Sequence, residues 1–72
     1  LAEAIGVRMR AARADAQMTI RELAREAQVD KDTIDRIERA VFRNPGVGTI
    51  ADIARALGVS AAWLAYGVGD KR

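Results

Sequence analysis

The sequence contains no cysteine and no histidine, and these two absences exclude much of the common catalytic and metal-binding chemistry. Without cysteine there is no disulfide framework and no thiolate metal site. Without histidine the chain lacks the commonest general base, the commonest metal ligand and any Ser–His or Cys–His nucleophile pair. The composition therefore argues against an enzyme and predicts no metal and no cofactor.

Proline, aromatic residues and long apolar runs are also scarce. Pro45 is the single proline, and the aromatic residues are Phe42, Trp63 and Tyr66, so the core must be aliphatic. No stretch approaches the ~20 apolar residues that a membrane span needs, and no signal-peptide pattern is present. These absences predict a cytoplasmic protein without a membrane partner.

The composition that remains is typical of one small folded domain. Of the 72 residues, 50% are hydrophobic and 31% are charged. A chain this short buries only about 60% of the surface that it exposes when unfolded, so we expect no room for a small-molecule pocket. The net charge of +2 does not by itself indicate nucleic acid. Because the chain starts at Leu1 rather than Met, we expect it to be part of a longer protein.

Apolar residues recur at helical spacing along almost the whole chain, and no strand signal is present. Thr19 and Glu22 fit a capping box, in which each side chain bonds the other residue's backbone amide. We expect residues 1–67 to form an all-α domain and residues 68–72 to be a frayed tail or the start of a linker. The pattern predicts five short helices, which begin near Ala2, Thr19, Asp30, Val47 and Ser60.

The most informative stretch lies between Ile20 and Arg39. It contains two short helices, separated only by Gln28 and Val29 before the next cap. So short a connection leaves the helices crossing steeply, as in a helix-turn-helix unit. The outer face of the second helix then protrudes and is available for the major groove of DNA.

Five segments, in this order and without insertions, carry a wider pattern: Ile5-Gly6-x-Arg8-Met9-Arg10-x-x-Arg13, Thr19-Ile20-Arg21-Glu22-Leu23-Ala24, Val29-Asp30-Lys31-Asp32-Thr33-Ile34-Asp35-Arg36-Ile37-Glu38-Arg39, Arg43-Asn44-Pro45 and Ile50-x-x-Ile53-Ala54-x-Ala56-Leu57-Gly58-Val59-Ser60-x-x-Trp63-Leu64. Together they resemble the lambdoid phage repressor and Cro-like helix-turn-helix domains, the XRE family. The resemblance implies a compact five-helix, lambda-repressor-like fold. It also implies sequence-specific binding of double-stranded DNA by a transcriptional regulator, a repressor that binds a pseudo-palindromic operator as a homodimer.

The sequence departs from the family at several positions. Where the family usually has glycine, before the second helix and in the turn, this chain has Gln17 and Gln28. A left-handed backbone at Gln28 would cost roughly 1 kcal/mol relative to glycine. Ile20 replaces a glutamine that often reaches a phosphate in the family, so no side-chain contact is expected there.

The resemblance implies that the helix at about residues 31–39 reads the bases. Arg36 can pair bidentately with guanine, and Asp32 can accept from cytosine or repel phosphate in a wrong register. The residues that match the base-reading positions are Lys31, Asp32, Thr33 and Arg36.

A second interpretation treats this helix as a solvated surface. The pairs Asp32–Arg36 and Asp35–Arg39 have the i,i+4 spacing of helical ion pairs.

The resemblance also implies phosphate contacts. The backbone amides of Gly46 and Val47 would begin a helix, and a helix N-terminus favours anions. The alternative is an ordinary flexible loop. The residues expected at phosphate are Arg21, Arg43, Asn44, Gly46 and Val47.

Two further roles follow from the resemblance or from the pattern. Arg13 and Glu38 resemble the family's structural ion pair between the first helix and the base-reading helix. Arg8, Arg10 and Arg25 are interpreted as solvated.

The last helix carries two large aromatic residues. Trp63 and Tyr66 are candidates for a dimer contact, although the favoured interpretation of Trp63 is that it caps the small aliphatic core. Both can hold, with Trp63 inside and Tyr66 at the interface.

Two classes of function remain open from the sequence. The first is the DNA-binding domain of a regulator, located in the cytoplasm on the nucleoid. The alternative is a protein-interaction adaptor with the same fold and no significant DNA affinity. Asp30, Asp32 and Asp35 favour the adaptor, because they place negative charge on the base-reading helix. Arg36 and Arg43 favour DNA.

Overall fold

The computed structural model describes residues 5–39 and 45–72, and within these ranges the chain is all helix and loop. The all-α, five-helix expectation is confirmed. The helices are α1 (Ile5–Asp15), α2 (Ile20–Ala27), α3 (Lys31–Glu38), α4 (Val47–Leu57) and α5 (Ala61–Tyr66).

Local hydrogen bonds explain where α2 and α5 begin. Thr19 Oγ1 accepts from the Glu22 amide at 3.0 Å, and Glu22 Oε1 accepts from the Thr19 amide at 2.8 Å. The predicted capping box is therefore present, and the bond from the Thr19 backbone amide holds the pKa of Glu22 below its ordinary value. Ser60 Oγ accepts from the Trp63 amide at 3.0 Å and caps α5 in the same way.

Two glycines end helices, and one N-cap residue does not use its side chain. Gly58 and Gly67 both have φ of 71° and end α4 and α5 in the left-handed conformation. Asp30 occupies the N-cap of α3, but its side chain makes no capping hydrogen bond. Only its backbone carbonyl serves the helix, accepting from the Thr33 amide at 3.0 Å and from the Ile34 amide at 3.3 Å.

The core lies where all five helices meet. Helix α2 packs on α3 and α4, α1 packs on α3 and α5, and α4 packs on α5. Trp63 is half-buried at the edge of this core. As expected, the largest fully buried side chains are aliphatic: Met9, Leu23, Ile34, Ile37, Ile53 and Leu64.

Arg8 corrects the expectation that it is solvated. The residue is only 4% exposed, because its side chain lies under the end of α5. Its Nε donates to the Leu64 carbonyl and its Nη2 to the Ala65 carbonyl, both at 2.9 Å. Carbonyls at a helix C-terminus lack intrahelical partners, so they are available to accept from the guanidinium.

The tail after Gly67 contacts the domain through Lys71. The Ser60 amide donates to the Lys71 carbonyl at 2.7 Å. The Lys71 ammonium pairs with Asp15 and lies 5.3 Å from the centre of the Trp63 ring. The hydrogen bond from Lys71 holds the pKa of Asp15 below its ordinary value. These contacts tie the tail to the ends of α1 and α5.

Candidate nucleic-acid interface

The turn between α2 and α3 sets the angle at which α3 stands on the domain. Gln28 ends α2 in the left-handed conformation, with φ of 59° and ψ of 43°. The following amide, of Val29, donates to the Ala24 carbonyl at 3.0 Å, and the Val29 side chain packs against the core. Val29 thereby closes the corner between the helices.

Two glutamines in this region adopt the left-handed backbone conformation, which normally favours glycine. Gln17 and Gln28 have φ of 56° and 59° and are the non-glycine residues with positive φ in the described ranges. The strain predicted for Gln28 is therefore present, and Gln17 carries the same strain at the end of α1.

The four predicted base-reading residues lie together on the outer side of α3. Lys31, Asp32 and Arg36 are exposed, and Thr33 is half-buried. Lys31 Nζ lies 3.4 Å from Asp32 Oδ1. Of the two ion pairs considered for a solvated helix, Asp35–Arg39 is present at 3.1 Å. Asp32 instead pairs with Lys31, and Arg36 has no carboxylate partner among the described residues.

Arginines without a partner are concentrated on the helix-turn-helix unit. Among residues 5–39 and 45–66, most arginines pair with a carboxylate or donate to backbone carbonyls. Arg21, Arg25 and Arg36 do neither, and all three are exposed. A guanidinium that is exposed and uncompensated is available to a phosphate or a guanine edge.

The start of α4 offers backbone amides. Gly46 is the N-cap and has no side chain that caps the helix, while Val47 is 85% exposed. A Cβ added at Gly46 or at Gly48 would meet nothing within 4 Å, so a ligand can approach the backbone closely. Two of the expected phosphate contacts, Arg43 and Asn44, lie outside the described residues.

The structure brings Arg13 and Glu38 together in a bidentate pair. Arg13 Nε and Nη2 donate to the two carboxylate oxygens of Glu38 at 2.8 and 2.9 Å. Arg13 Nη1 also donates to the Met18 carbonyl at 3.0 Å. The Glu38 hydrogen bond raises the pKa of Arg13, and the Glu38 side chain is only 3% exposed. This pair joins α1, the α1–α2 turn and α3.

Sequence reasoning missed Arg10, which was expected to be solvated. Its side chain is 61% exposed, yet its Nη2 donates to the Glu38 carbonyl at 3.1 Å. Its spacing of three residues from Arg13, on one face of α1, is the signal that could have identified it.

The two aromatic residues of α5 lie in different surroundings. Trp63 packs against the core beneath Lys71, whereas Tyr66 is 73% exposed. Tyr66 borders a shallow apolar groove of about 260 Å³ between α4 and α5. The other residues of this α4–α5 groove are Val47, Ile50, Ala51, Ala61, Ala62 and Ala65.

Two features are absent from the described part of the chain. No group of three or more acidic side chains there is placed to hold a metal ion. No helix there is long and apolar enough to cross a membrane.

Comparison with known proteins gives a consistent picture. A family model described as helix-turn-helix matches residues 9–64. The N-terminal DNA-binding domain of SinR from Bacillus subtilis is 32% identical, over 83% of this chain and 87% of that chain, with a TM-score of 0.81. A crystal structure of SinR in complex with DNA matches at the same identity and TM-score, over 95% of that chain.

A second solved relative shares the fold at lower identity. The P22 c2 repressor, crystallised with a synthetic operator, is 24% identical over 92% of this chain and 98% of that chain, with a TM-score of 0.84. A search among curated proteins finds no match.

Proposed function

We propose a function for this chain on the basis of its family: it belongs to the helix-turn-helix family, whose model matches residues 9–64. The chain binds double-stranded DNA sequence-specifically, as the DNA-binding domain of a transcriptional regulator that acts as a repressor. The observation that carries this proposal is the 32% identity to SinR, a protein crystallised with DNA, over most of both chains. The unpartnered arginines of α2 and α3 support it independently, because they are free to bind an anion.

Base reading belongs to the exposed side of α3, which enters the major groove. Arg36 donates bidentately to O6 and N7 of a guanine, which is worth about 1–3 kcal/mol of discrimination. Lys31 contacts a second base edge less rigidly. Asp32 accepts from cytosine N4 or repels phosphate in a wrong register. Thr33, at the half-buried edge of α3, contacts a thymine methyl or a phosphate.

Phosphate contacts fix the register of the domain on DNA. Arg21 in the first turn of α2 and the amides of Gly46 and Val47 at the start of α4 bind the backbone. Arg43 and Asn44 are proposed to add to this set. These contacts carry no sequence information, so their loss weakens binding to every duplex alike.

The active form is a homodimer on a pseudo-palindromic operator. Two copies place their α3 helices in successive major grooves, about 34 Å apart. Tyr66 and the apolar α4–α5 groove form the dimer contact, because this patch is exposed and apolar. Its α4 side includes Val47, at the start of the helix whose first residues contact phosphate. Trp63 belongs to the same helix as Tyr66 and is half-buried at the edge of the core. Occupation of the operator blocks polymerase. The protein acts in the cytoplasm, on the nucleoid.

The test is selection from random duplexes, followed by a salt titration on the enriched sequence. We expect a pseudo-palindrome to be enriched and the logarithm of affinity to fall steeply with the logarithm of salt. Arg36→Ala should relax one base position in each half-site. The matched control is Arg55→Ala, which removes another exposed arginine near the C-terminal end of α4, where it pairs with Asp52.

One result would overturn the proposal in favour of the adaptor. This is the absence of enrichment both for the chain as it stands and for two copies joined by a flexible linker, since the linker removes any need for dimerisation in solution.

A further inference from the structure

The C-terminal end of α3 lies against α1, and two α1 residues that have no role in the proposed function form this contact. Gly6 is buried, and a Cβ placed on it would lie 2.3 Å from the Ile37 carbonyl oxygen and 3.0 Å from that of Glu38. Both obstructing atoms belong to the α3 backbone. Any larger residue at position 6 must therefore push α1 and α3 apart.

Arg10 lies one helical turn further along α1 and binds the same end of α3. Its Nη2 donates to the Glu38 carbonyl at 3.1 Å, and its Nε lies 3.7 Å from Glu38 Oε1. The last carbonyls of a helix lack intrahelical donors, and a cation is favourable beside them. Arg13 fixes the Glu38 carboxylate, whereas Arg10 fixes the backbone of α3 itself.

Because of the length of α3, a small change in its tilt around the Glu38 end moves the Lys31 end by a large distance. The helix has eight residues, from Lys31 to Glu38, and at a rise of about 1.5 Å per residue its ends are about 10 Å apart. A tilt of about 10° around the Glu38 end would move the Lys31 end by about 2 Å. Hydrogen bonds to base edges tolerate a range of only about 0.5 Å in length.

We propose that Gly6 and Arg10 are positioning residues for base discrimination. Gly6 lets the α3 backbone come close to α1, and Arg10 fastens it there, so that the tilt of α3 is set by α1. This inference rests on the proposed function for its effect on DNA, but its structural part can be measured without DNA.

The first experiment compares Arg10→Met with Arg55→Met. Both variants remove one charge from a side chain that is about two-thirds exposed, but only Arg10 contacts α3. Affinity is measured for the selected operator and for a scrambled duplex of the same length and composition. We expect Arg10→Met to lower the ratio of the two affinities about tenfold, the effect of one misplaced charge-assisted hydrogen bond. Arg55→Met should leave the ratio unchanged.

An equal effect of Arg10→Met on both duplexes, matching that of Arg55→Met, would overturn the positioning role. Arg10 would then contribute only its charge.

The second experiment compares Gly6→Ala with Gly48→Ala in the absence of DNA. Each glycine is the second residue of its helix, but a Cβ at Gly48 meets nothing within 4 Å. Residual dipolar couplings of the backbone amides give the angle between α2 and α3. We expect this angle to change in Gly6→Ala and in Arg10→Met, and to stay constant in Gly48→Ala.

An unchanged angle in Arg10→Met refutes the inference even if Gly6→Ala fails to fold. If the unmodified chain selects no operator, the proposed function fails, while the angles still decide whether α1 sets the tilt of α3.

Discussion

At the scale of single residues, the polar groups of this domain divide into those that are bound and those that are free. Arg8, Arg10 and Arg13 on α1 all bind the ends of other helices or the carboxylate of Glu38. Arg21 and Arg36 on the helix-turn-helix unit have no hydrogen-bond or ion-pair partner within residues 5–39 and 45–72. The first group holds the fold together, and the second is available to a ligand.

The left-handed glutamines provide a prediction about stability. Replacing Gln28, with φ of 59°, by glycine should raise the free energy of unfolding by about 1 kcal/mol, because glycine adopts this conformation without a Cβ clash. The same gain is expected for Gln17→Gly. Urea denaturation of each variant measures the change.

The matched control is alanine at the same positions, which shortens the side chain but keeps the Cβ. A gain for Gln28→Ala equal to that for Gln28→Gly would contradict the conformational explanation.

The buried ion pair provides a second prediction at this scale. Arg13→Met leaves the Glu38 carboxylate, which is 3% exposed, without its bidentate partner. We expect a loss of about 3 kcal/mol, somewhat reduced because Arg10 stays nearby. Arg39→Met removes an exposed partner of Asp35 and should cost less than about 1 kcal/mol.

The double variant Arg13→Met/Glu38→Leu distinguishes two contributions to the loss of stability, the lost attraction between the two groups and the cost of burying an unpaired charge. It should be more stable than Arg13→Met alone, as thermal unfolding at neutral pH would show. A double variant that is less stable than both single variants would argue against this account.

At the scale of elements, α2 and α5 begin with side-chain capping bonds that span three residues, and the bonds at α2 include Glu22, a carboxyl group that titrates. The Thr19 backbone amide, and then its hydroxyl, hold the pKa of Glu22 below its ordinary value of 4.5. Because the pKa is lower in the folded state, this stabilisation is complete above pH 4.5 and declines as the pH falls through the lowered value.

We therefore expect Glu22→Gln to flatten the fall in stability below pH 4.5. Helix content followed by circular dichroism during acid titration, at several urea concentrations, measures this slope. Identical acid slopes for the two proteins would show that the capping box does not contribute to the pH dependence.

At the scale of the whole molecule, the exposed apolar patch and the proposed DNA-contacting surface share an element, α4. Val47 is both at the start of this helix and in the α4–α5 groove, beside Tyr66. A homodimer formed there would couple the spacing of the two α3 helices to the packing of Tyr66.

Tyr66→Ser should accordingly weaken binding to a full pseudo-palindrome and leave binding to a single half-site unchanged. We expect a loss of about tenfold on the full site, the order of one aromatic contact across an interface. Gel-shift titrations on full and half sites measure both values. Equal effects on the two sites would place the dimer contact elsewhere.

Features that arise within a few residues can be predicted from the sequence alone. Thr19 with Glu22 starts α2, Ser60 starts α5, and Gly58 and Gly67 end helices, because capping bonds and left-handed stops depend on near neighbours. Helical spacing and a two-residue turn were enough to predict five helices and the helix-turn-helix unit. The resemblance to the family implied that Lys31, Asp32 and Arg36 lie on the outer side of α3, and they are exposed there.

Contacts between groups that are distant in the sequence depend instead on how the helices pack. Arg8 contacts the end of α5 from a position 56 residues earlier, and Lys71 reaches Asp15 across an equal separation. Local spacing cannot reveal such contacts, because a charged residue has the same spacing in the sequence whether its side chain is covered by a second helix or exposed to water. The burial of Arg8, the capping of α3 by Arg10 and the close approach at Gly6 thus depend on how the helices pack.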